Sequence, residues 1–460
     1  MISHGSLNRT LSRRTILGAT MSGLLAAACA RTPRPAGEQA ARGREPVTLR
    51  LTWVAKEFEH TFQVMGPVFE QRYPWVKLQL EASPDYLEKL TVLFATNTIG
   101  DVMFLESDDE AFFAYWAAAG MLRQLDDYIK RDKYDLNVFF PEAIRALRSV
   151  DGNMWAFPYK AFMARCGLFF NIDLIERAGL PLPTDDWTYD DLAQAAQKLT
   201  RRSGGEVELW GGGRKMGGDL AFTAIMRAFG GDLYTPDGKR TLVGHPRSQE
   251  AINWWLDRYL NDGTILPDLA ANSFALFQQG KVALLAGHNP GDRVTIANAL
   301  NPNNVRWGLV LMPKGPAGRR GGSFFITPTG IAKISKHPEE AWEFQKFLAE
   351  KETGVVMGFP TPESGQTSSH FGARKDIYTD PRVLNAPGMP PGVMQALARS
   401  MELPEPLHWP HNFRAAEVEK VLNDEVRKAV RGEVKANAGF FQNLERQIQY
   451  ILDQPRPTPQ

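Results

Sequence analysis

The chain has 460 residues, of which 43% are hydrophobic and 23% are charged. Its 53 basic and 52 acidic side chains nearly cancel, so no overall charge favours binding to nucleic acid or to an anionic membrane surface. A chain of this length can bury two sizeable hydrophobic cores, and we therefore expect more than one domain.

The first 28 residues have the features of an export signal. Arg13 and Arg14 resemble a twin-arginine signal, and they precede an apolar run that is shorter than the ~20 residues needed to span a bilayer. Cys29 then follows a run of small residues, as at a bacterial lipoprotein processing site. An ordinary signal cleavage with Cys29 incidental is the alternative. Residues 29–45 lack periodicity and are predicted to form a flexible tether.

Residues 47–105 alternate between strand-like and helix-like patterns. Apolar side chains recur at every second position in the strand-like parts and at helical spacing in the parts between them. The order strand–helix–strand–helix–strand predicts a doubly wound α/β lobe with right-handed crossovers. The predicted strands are 47–53, 76–80 and 101–105, with helices over 58–69 and 86–96.

Candidate ligand-binding residues follow two of these strands. Trp53 ends the first strand, and Asp108 and Asp109 follow the third, at the carboxyl ends where doubly wound folds bind ligands. An indole can pack against the C–H face of a sugar, and a carboxylate accepts hydrogen bonds from its hydroxyl groups. The alternatives are that Trp53 is a buried core residue and that the two aspartates cap the next helix.

The stretch 151–171 begins with an Asp-Gly turn signal and ends in a short apolar strand. Pro158 fixes its own φ and biases the residue before it toward extended geometry, so the middle of the stretch is not helical. We interpret the stretch as a crossover between two lobes. It carries Tyr159 and Lys160 into the cleft between them.

Further candidates follow in the second lobe. Thr188 is predicted to cap a helix. The glycine-rich run 209–213 lacks the Gly-Lys-Ser/Thr ending of a phosphate loop, so a nucleotide site is not expected. The run is either a loop after a strand or a segment from which Trp210 lines the cleft. After an apolar strand, His288 and Asn289 can both hydrogen-bond hydroxyl groups, although a lone histidine also suits a structural role.

Several short motifs follow one another in order between residues 157 and 200. They are Pro158-Tyr159, Leu168-Phe169-Phe170-Asn171, Ala178-Gly179-Leu180-Pro181 and Trp187-Thr188-Tyr189-Asp190-Asp191-Leu192. The ordered set resembles the extracellular solute-binding proteins of ABC importers, specifically the large sugar-binding class. The resemblance covers residues 46–360 well and the last hundred residues loosely.

The resemblance implies an α/β fold of two doubly wound lobes joined by a multi-strand hinge, of the type II periplasmic binding protein kind. The run 321–326 is similar to the family's second crossover between the lobes. The predicted divisions are a signal peptide over 1–28, a tether over 29–45, lobe 1 over 46–157 with 325–375, and lobe 2 over 158–324 with 376–460.

The same resemblance implies binding rather than catalysis. A sugar or oligosaccharide would be captured by closure of the hinge and delivered to the permease subunits of a membrane transporter. The protein is expected to be a monomer without cofactor, metal or nucleic acid, held at the membrane only by a lipid on Cys29. The candidate ligand contacts are Trp53, Asp108, Asp109, Tyr159, Lys160, Trp210, His288, Asn289, Ser323 and Phe324.

Two alternatives stay open. The scaffold could bind a polyamine, glycerol phosphate or peptide, and a phosphorylated ligand would favour Lys160, Arg165 or Arg293 in the cleft. A secreted glycoside hydrolase is the other alternative. It needs two carboxyl groups on either side of the scissile bond, which adjacent residues such as Asp108 and Asp109 cannot supply. The sequence also contains no His-Glu-x-x-His, Cys-x-x-Cys or Gly-x-Ser-x-Gly motif.

Overall fold

The computed structural model describes residues 44–54, 59–83, 86–105, 116–148, 151–214, 219–267, 272–359, 370–404 and 414–455. The strands are β1 (Val47–Val54), β2 (Val76–Ser83), β3 (Val102–Phe104), β4 (Phe157–Ala164), β5 (Gly167–Asn171), β6 (Arg201–Ser203), β7 (Glu206–Arg214), β8 (Ile265–Pro267), β9 (Val282–His288), β10 (Trp307–Leu311) and β11 (Ser323–Ile331).

The helices are α1 (Glu59–Arg72), α2 (Tyr86–Ala95), α3 (Asp126–Asp132), α4 (Pro141–Leu147), α5 (Ile172–Arg177), α6 (Tyr189–Leu199), α7 (Asp219–Ala228), α8 (Pro246–Leu260), α9 (Ser273–Gln278), α10 (Arg293–Leu300), α11 (Pro338–Leu348), α12 (Lys351–Val356), α13 (Pro381–Leu384), α14 (Val393–Ser400), α15 (Ala415–Val430) and α16 (Ala438–Leu452). Among the helices in the described residues, none is both long and apolar enough to cross a membrane.

Two mixed sheets form the centres of two lobes. The first has the strand order β2-β1-β3-β11-β4, with β1 parallel to β2 and β3, and β11 antiparallel to β3 and β4. The second has the order β10-β5-β9-β7-β6, with β8 beside β7. In it β7, β8 and β9 are parallel, while β5 is antiparallel to β9 and β10. The predicted fold of two α/β lobes is confirmed.

Each sheet has a hydrophobic core of its own. The first core contains Trp53, Phe104 and, from α11, Trp342. The second contains Trp255 of α8 and is closed on one side by α15 and α16, whose buried residues include Leu444. Burial of these large apolar side chains is the main force that holds each lobe together.

The chain passes between the two sheets after β4 and before β11, and the predicted lobe boundaries stay a prediction. Strands β4 and β11 pair with each other along their length, so 157–164 and 323–331 both belong to the first sheet. The segment 377–401 contributes buried side chains to the first core, although the prediction assigned it to the second lobe. Helix α14 in this segment also packs against β10 and contributes to a third apolar cluster, on the second sheet.

Two sequence signals have opposite outcomes in the second lobe. Thr188 caps α6 as predicted, because its hydroxyl accepts from the backbone of Asp191 and the Asp191 carboxylate accepts from the backbone of Thr188. The run 209–213 lies within β7, so its interpretation as a loop was wrong. The glycines serve close packing instead, since a Cβ at Gly211 would lie 1.8 Å from the carbonyl oxygen of Ala196 in α6.

Candidate ligand-binding site

The carboxyl ends of the parallel strands in both sheets point toward the junction of the two lobes. β11 runs antiparallel to β3, and its first residue, Ser323, pairs with Ala164 at the end of β4, where the chain leaves the first sheet. β3 and β1 therefore run toward the second lobe. In the second sheet, His288 at the end of β9 pairs with Gly167 just after that crossover, so β9 and β7 run toward the first lobe. A ligand at these strand ends would lie between the lobes.

Four side chains cluster where β1 and β3 end. Trp53 meets Phe104 with ring centroids 4.9 Å apart, and it meets Tyr159 edge-on at 5.6 Å. The Lys160 ammonium lies 5.2 Å from the Phe104 ring centroid and 5.5 Å from that of Tyr159. We call Trp53, Phe104, Tyr159 and Lys160 the aromatic cluster. Edge-to-face and cation–π contacts of this kind stabilise one fixed arrangement of the rings.

The aromatic cluster brings together three residues that the sequence predicted to share a site. Trp53, Tyr159 and Lys160 are 0%, 1% and 2% exposed. Trp53 therefore also fits the alternative interpretation as a core residue, and its contact with a ligand stays a prediction. Asp108, Asp109 and Cys29 lie outside the described residues.

The first crossover, residues 164–167, is held by bonds to the second lobe. The backbone N–H of Arg165, which has a positive φ of 59°, donates to Asn289 Oδ1 at 2.9 Å. The carbonyl of Cys166 accepts from the backbone of Met312 at 2.7 Å. The side-chain amide oxygen of Asn289 thus stabilises the backbone of the first crossover. The predicted hydrogen bond from Asn289 to a ligand hydroxyl stays a prediction.

The second crossover ends at Ser323, which is fully buried. Arg227 of α7 donates to Ser323 Oγ at 2.8 Å and to the carbonyl of Gly322 at 3.2 Å, and its Nε lies 2.9 Å from Asp232 Oδ2. Ser323 therefore takes part in the hydrogen bonds that join α7 to the second crossover. Its hydroxyl faces the arginine of α7 in this structure, and its contact with a ligand stays a prediction.

The predicted ligand contact of Phe324 also stays a prediction. Neighbouring residues of a strand point to opposite faces of the sheet, so Phe324 turns away from the direction of Ser323. Its ring lies in the first core, 5.7 Å from that of Phe140. The glycines before it correctly indicated a crossover, but they carry no information about which face of the strand is buried.

Trp210 lies on β7, four residues before the junction-facing end of the strand. It pairs with Val282 at the beginning of β9 and packs beside Phe277 and Leu266. Four residues of strand span about 13 Å. The indole of Trp210 packs, partly buried, against the third apolar cluster. Its predicted role in lining the cleft stays a prediction.

His288 lies at the junction and is engaged in the protein itself. Its Nδ1 is 3.1 Å from Asp292 Oδ2, and its ring stacks on Phe274 at 5.4 Å. Burial raises the pKa of Asp292, but the hydrogen bond and charge of His288, together with the charges of His370 and Arg165, outweigh it and hold that pKa below its usual value. The structure therefore makes His288 the hydrogen-bond partner of Asp292 within a group of titratable side chains at the junction.

Two further arginines lie close to this group. Burial lowers the pKa of Arg293 to about 10, and its guanidinium packs over the Phe371 ring at 4.9 Å. Arg214, the last residue of β7, is also buried. Arg214 was missed by the sequence interpretation because it follows the glycine run that was taken for a loop. Within the described part of the chain, no group of three or more His, Cys, Asp or Glu side chains is placed to hold a metal ion.

The sequence matches the family model of the bacterial extracellular solute-binding proteins over residues 55–355. The chain belongs to this family. Its members are exported proteins that bind solutes, which agrees with an α/β pair of lobes whose strand ends face each other. A relative in Brucella abortus, described as a binding protein, is 26% identical over 300 residues, which are 63% of this chain and 69% of the relative.

Solved structures with the same fold include several proteins with bound saccharides. A substrate-binding protein of Listeria monocytogenes in complex with cycloalternan superposes with a TM-score of 0.74 at 21% identity, covering 88% of this chain and 99% of that one. The cyclic alpha-maltosyl-1,6-maltose binding protein of Arthrobacter globiformis gives 0.72 at 18% identity, over 88% and 99% of the chains. The GacH receptor of Streptomyces glaucescens, solved with and without acarbose, gives 0.71 at 18% identity, over 90% and 100%.

Proposed function

We propose that this solute-binding protein captures a sugar or oligosaccharide between its lobes and delivers it to the permease of an ABC transporter. The observation that carries the proposal is the aromatic cluster at the ends of β1 and β3, where a ligand between the lobes would lie. Aromatic rings are suited to the C–H faces of sugars. The saccharide ligands named for the Listeria, Arthrobacter and Streptomyces proteins support the same ligand class.

The proposed mechanism is closure about the two crossovers. When the solute binds, residues 164–167 and 312–323 act as the hinge, and the second lobe moves onto a ligand held at the first. The closed, filled form is the one that the permease recognises. In this account the protein binds its solute without changing it chemically.

We further propose that the protein is exported by a twin-arginine signal and anchored as a monomer through a lipid on Cys29. One acyl chain alone anchors weakly, so a lipidated amino terminus with more than one chain would be needed. Expression of the full chain in a bacterial host and detergent phase partition would test the anchor. We expect the wild type in the detergent phase and the Cys29→Ala variant in the aqueous phase.

Calorimetric titration with a panel of mono- and oligosaccharides tests the ligand class. We expect at least one member of the panel to bind with 1:1 stoichiometry. Binding of a polyamine, glycerol phosphate or peptide instead, with no saccharide bound, would overturn the sugar assignment while keeping the transport role. Incubation of the same panel followed by product analysis tests the hydrolase alternative, for which we expect no turnover.

A further inference from the structure

Arg214 is a buried charge with unused hydrogen-bonding capacity. Its side chain is 1% exposed. The guanidinium carbon lies 4.5 Å from the ring centroid of Trp255, and Nη2 reaches the carbonyl of Ala221 at 3.4 Å. Nε and Nη1 are buried and have no acceptor in the part of the chain that the structure describes. At least two of the five N–H donors of this side chain are therefore available.

The charge of Arg214 is not balanced by a carboxylate of the described residues. Burial lowers the pKa of Arg214, and the nearby charge of Arg165 lowers it further, whereas Tyr189 and Tyr259 act in the opposite direction. A guanidinium nevertheless stays protonated in proteins. Arg214 thus carries a buried positive charge in the second lobe, and its main charged neighbour is Arg165, which is also positive.

Arg227 is a buried arginine of the same lobe with a structural role, and its partners can be compared with those of Arg214. It is 4% exposed, and its Nε lies 2.9 Å from the carboxylate of Asp232. Its Nη1 donates to Gly322 and Ser323. Buried charges are normally paired in this way because an unpaired one is costly. Arg214 lacks such a partner among the described residues.

Arg214 lies at the junction-facing end of its strand rather than at the outer end. It is the last residue of β7, and β7 runs toward the first lobe beside β9. Gly287 of β9 makes room for the guanidinium, since a Cβ there would lie 2.3 Å from Nη1, and the backbone at Gly287 has a positive φ of 67°. The fold therefore places the charged end of Arg214 where ligands of doubly wound folds bind.

We propose that Arg214 binds an anionic group of the solute, so that the preferred ligand is an acidic saccharide. This inference rests on the proposed function and narrows its ligand class. An oxygen of a carboxylate or a phosphate can accept from an unsatisfied N–H donor of the guanidinium, and the anion supplies the missing negative charge. The carboxylate of a uronic acid and the phosphate of a sugar phosphate share this chemistry, and the test separates them.

The test is calorimetric titration of the full chain with three matched probes: a digalacturonate, a glucose phosphate and the neutral disaccharide maltose. We expect one of the two anionic probes to bind roughly tenfold to a hundredfold more tightly than maltose. The probe that binds more tightly identifies the carboxylate or the phosphate as the group recognised. We expect this preference to weaken with added salt.

Two variants assign the preference to Arg214. The Arg214→Met variant keeps the length and apolar contacts of the side chain but loses its charge. The Arg214→Lys variant keeps the charge but lacks the guanidinium and its N–H donors. We expect Met to remove the preference for the anionic probe and Lys to retain part of it, where the preference is the ratio of the affinities of one variant for the anionic probe and for maltose. Arg258→Met is the matched control, because Arg258 also packs over a tryptophan of α8, at 4.9 Å from the Trp254 centroid, but is paired with Asp262.

The outcomes separate this inference from the function on which it rests. If maltose or another neutral saccharide binds as tightly as the anionic probes, Arg214 has a structural role only and the inference fails while the proposed function stands. The same holds if the wild type prefers the anion and a folded Arg214→Met variant keeps the full preference. If no saccharide of any charge binds, the proposed function fails as well.

Discussion

The indole of Trp53 and the phenol ring of Tyr159 meet edge-on, with centroids 5.6 Å apart and ring planes at 90°. Trp53 comes from β1 at the beginning of the first lobe, and Tyr159 comes from β4, which leads out of it. The contact therefore joins the first strand of the lobe to the strand that continues into the hinge. Any solute that contacts this pair is placed next to the element that moves on closure.

Removal of the Tyr159 hydroxyl should weaken binding without disturbing the fold. The Tyr159→Phe variant keeps the ring and its contact with Trp53, but it loses one group able to bond a sugar hydroxyl. We expect a loss of about 1 kcal/mol, or roughly a fivefold rise in Kd, in calorimetric titration with the saccharide that binds the wild type. Tyr450→Phe is the control because Tyr450 is 70% exposed on α16. Equal affinity of both variants would remove Tyr159 from the site.

Arg227 should contribute strongly to stability. The Arg227→Met variant leaves Asp232 without its partner and breaks the bonds to Gly322 and Ser323. We expect the free energy of unfolding, measured by urea denaturation, to fall by about 3 kcal/mol. Arg247→Met removes an exposed pair with Glu250 and should cost less than about 0.5 kcal/mol. If the free energy of unfolding falls by a similar amount in the two variants, the bonds of Arg227 between α7 and the second crossover do not contribute to stability.

Gly211 should not tolerate even a methyl group. In the Gly211→Ala variant the Cβ would lie 1.8 Å from the carbonyl oxygen of Ala196, so α6 must move away from β7. We expect a drop of about 2 kcal/mol or more in the free energy of unfolding. The Gly66→Ala variant is the control, since its Cβ would meet nothing closer than 3.7 Å. Because Gly66 precedes Pro67 in α1, the helix preference of alanine is offset, and we expect a change of less than about 1 kcal/mol. A stable Gly211→Ala variant would contradict the close packing of α6 on β7.

Asp292 should stabilise the protein at neutral pH and lose this effect in acid. Its pKa is lower in the folded protein than in the unfolded chain, so the folded state favours the carboxylate. The stabilisation is fully present above the unfolded pKa of about 3.9 and is lost as the pH falls through the folded pKa.

Thermal unfolding of the wild type and of the Asp292→Asn variant between pH 3 and pH 7 measures this effect. We expect the wild type to be more stable at pH 7 and the difference to shrink below about pH 4. His288, His370 and Arg165 are the charged groups that face Asp292, so a difference that grows in acid would mean that these groups do not stabilise the carboxylate.

Much of the fold could be predicted from local patterns. Alternating apolar residues located β1 and β2, and Thr188 with Asp191 located the start of α6, because these signals depend on neighbours in the chain. The run 209–213 was misassigned for the opposite reason. Glycines usually indicate loops, and only the approach of Ala196 from a different element explains why a strand needs them here.

The site was predictable in part. Trp53 could be placed by the rule that ligands bind at carboxyl strand ends, which applies to any doubly wound sheet. Tyr159 and Lys160 followed from the interpretation of 151–171 as a crossover between the lobes. The rule does not state which face a side chain takes, so Ser323 and Phe324 were predicted together although they point in opposite directions. Arg214 could not be recognised from sequence, because its significance lies in the absence of a carboxylate beside it among the described residues.

A crystal structure with the tightest-binding saccharide tests the central claim most directly. We expect the saccharide between the two sheets, with at least one sugar ring against Trp53 or Tyr159 and further contacts from the junction-facing ends of β7 or β9. A saccharide bound on the outer face of either lobe, with the aromatic cluster and both crossovers unchanged from the unliganded protein, would contradict it.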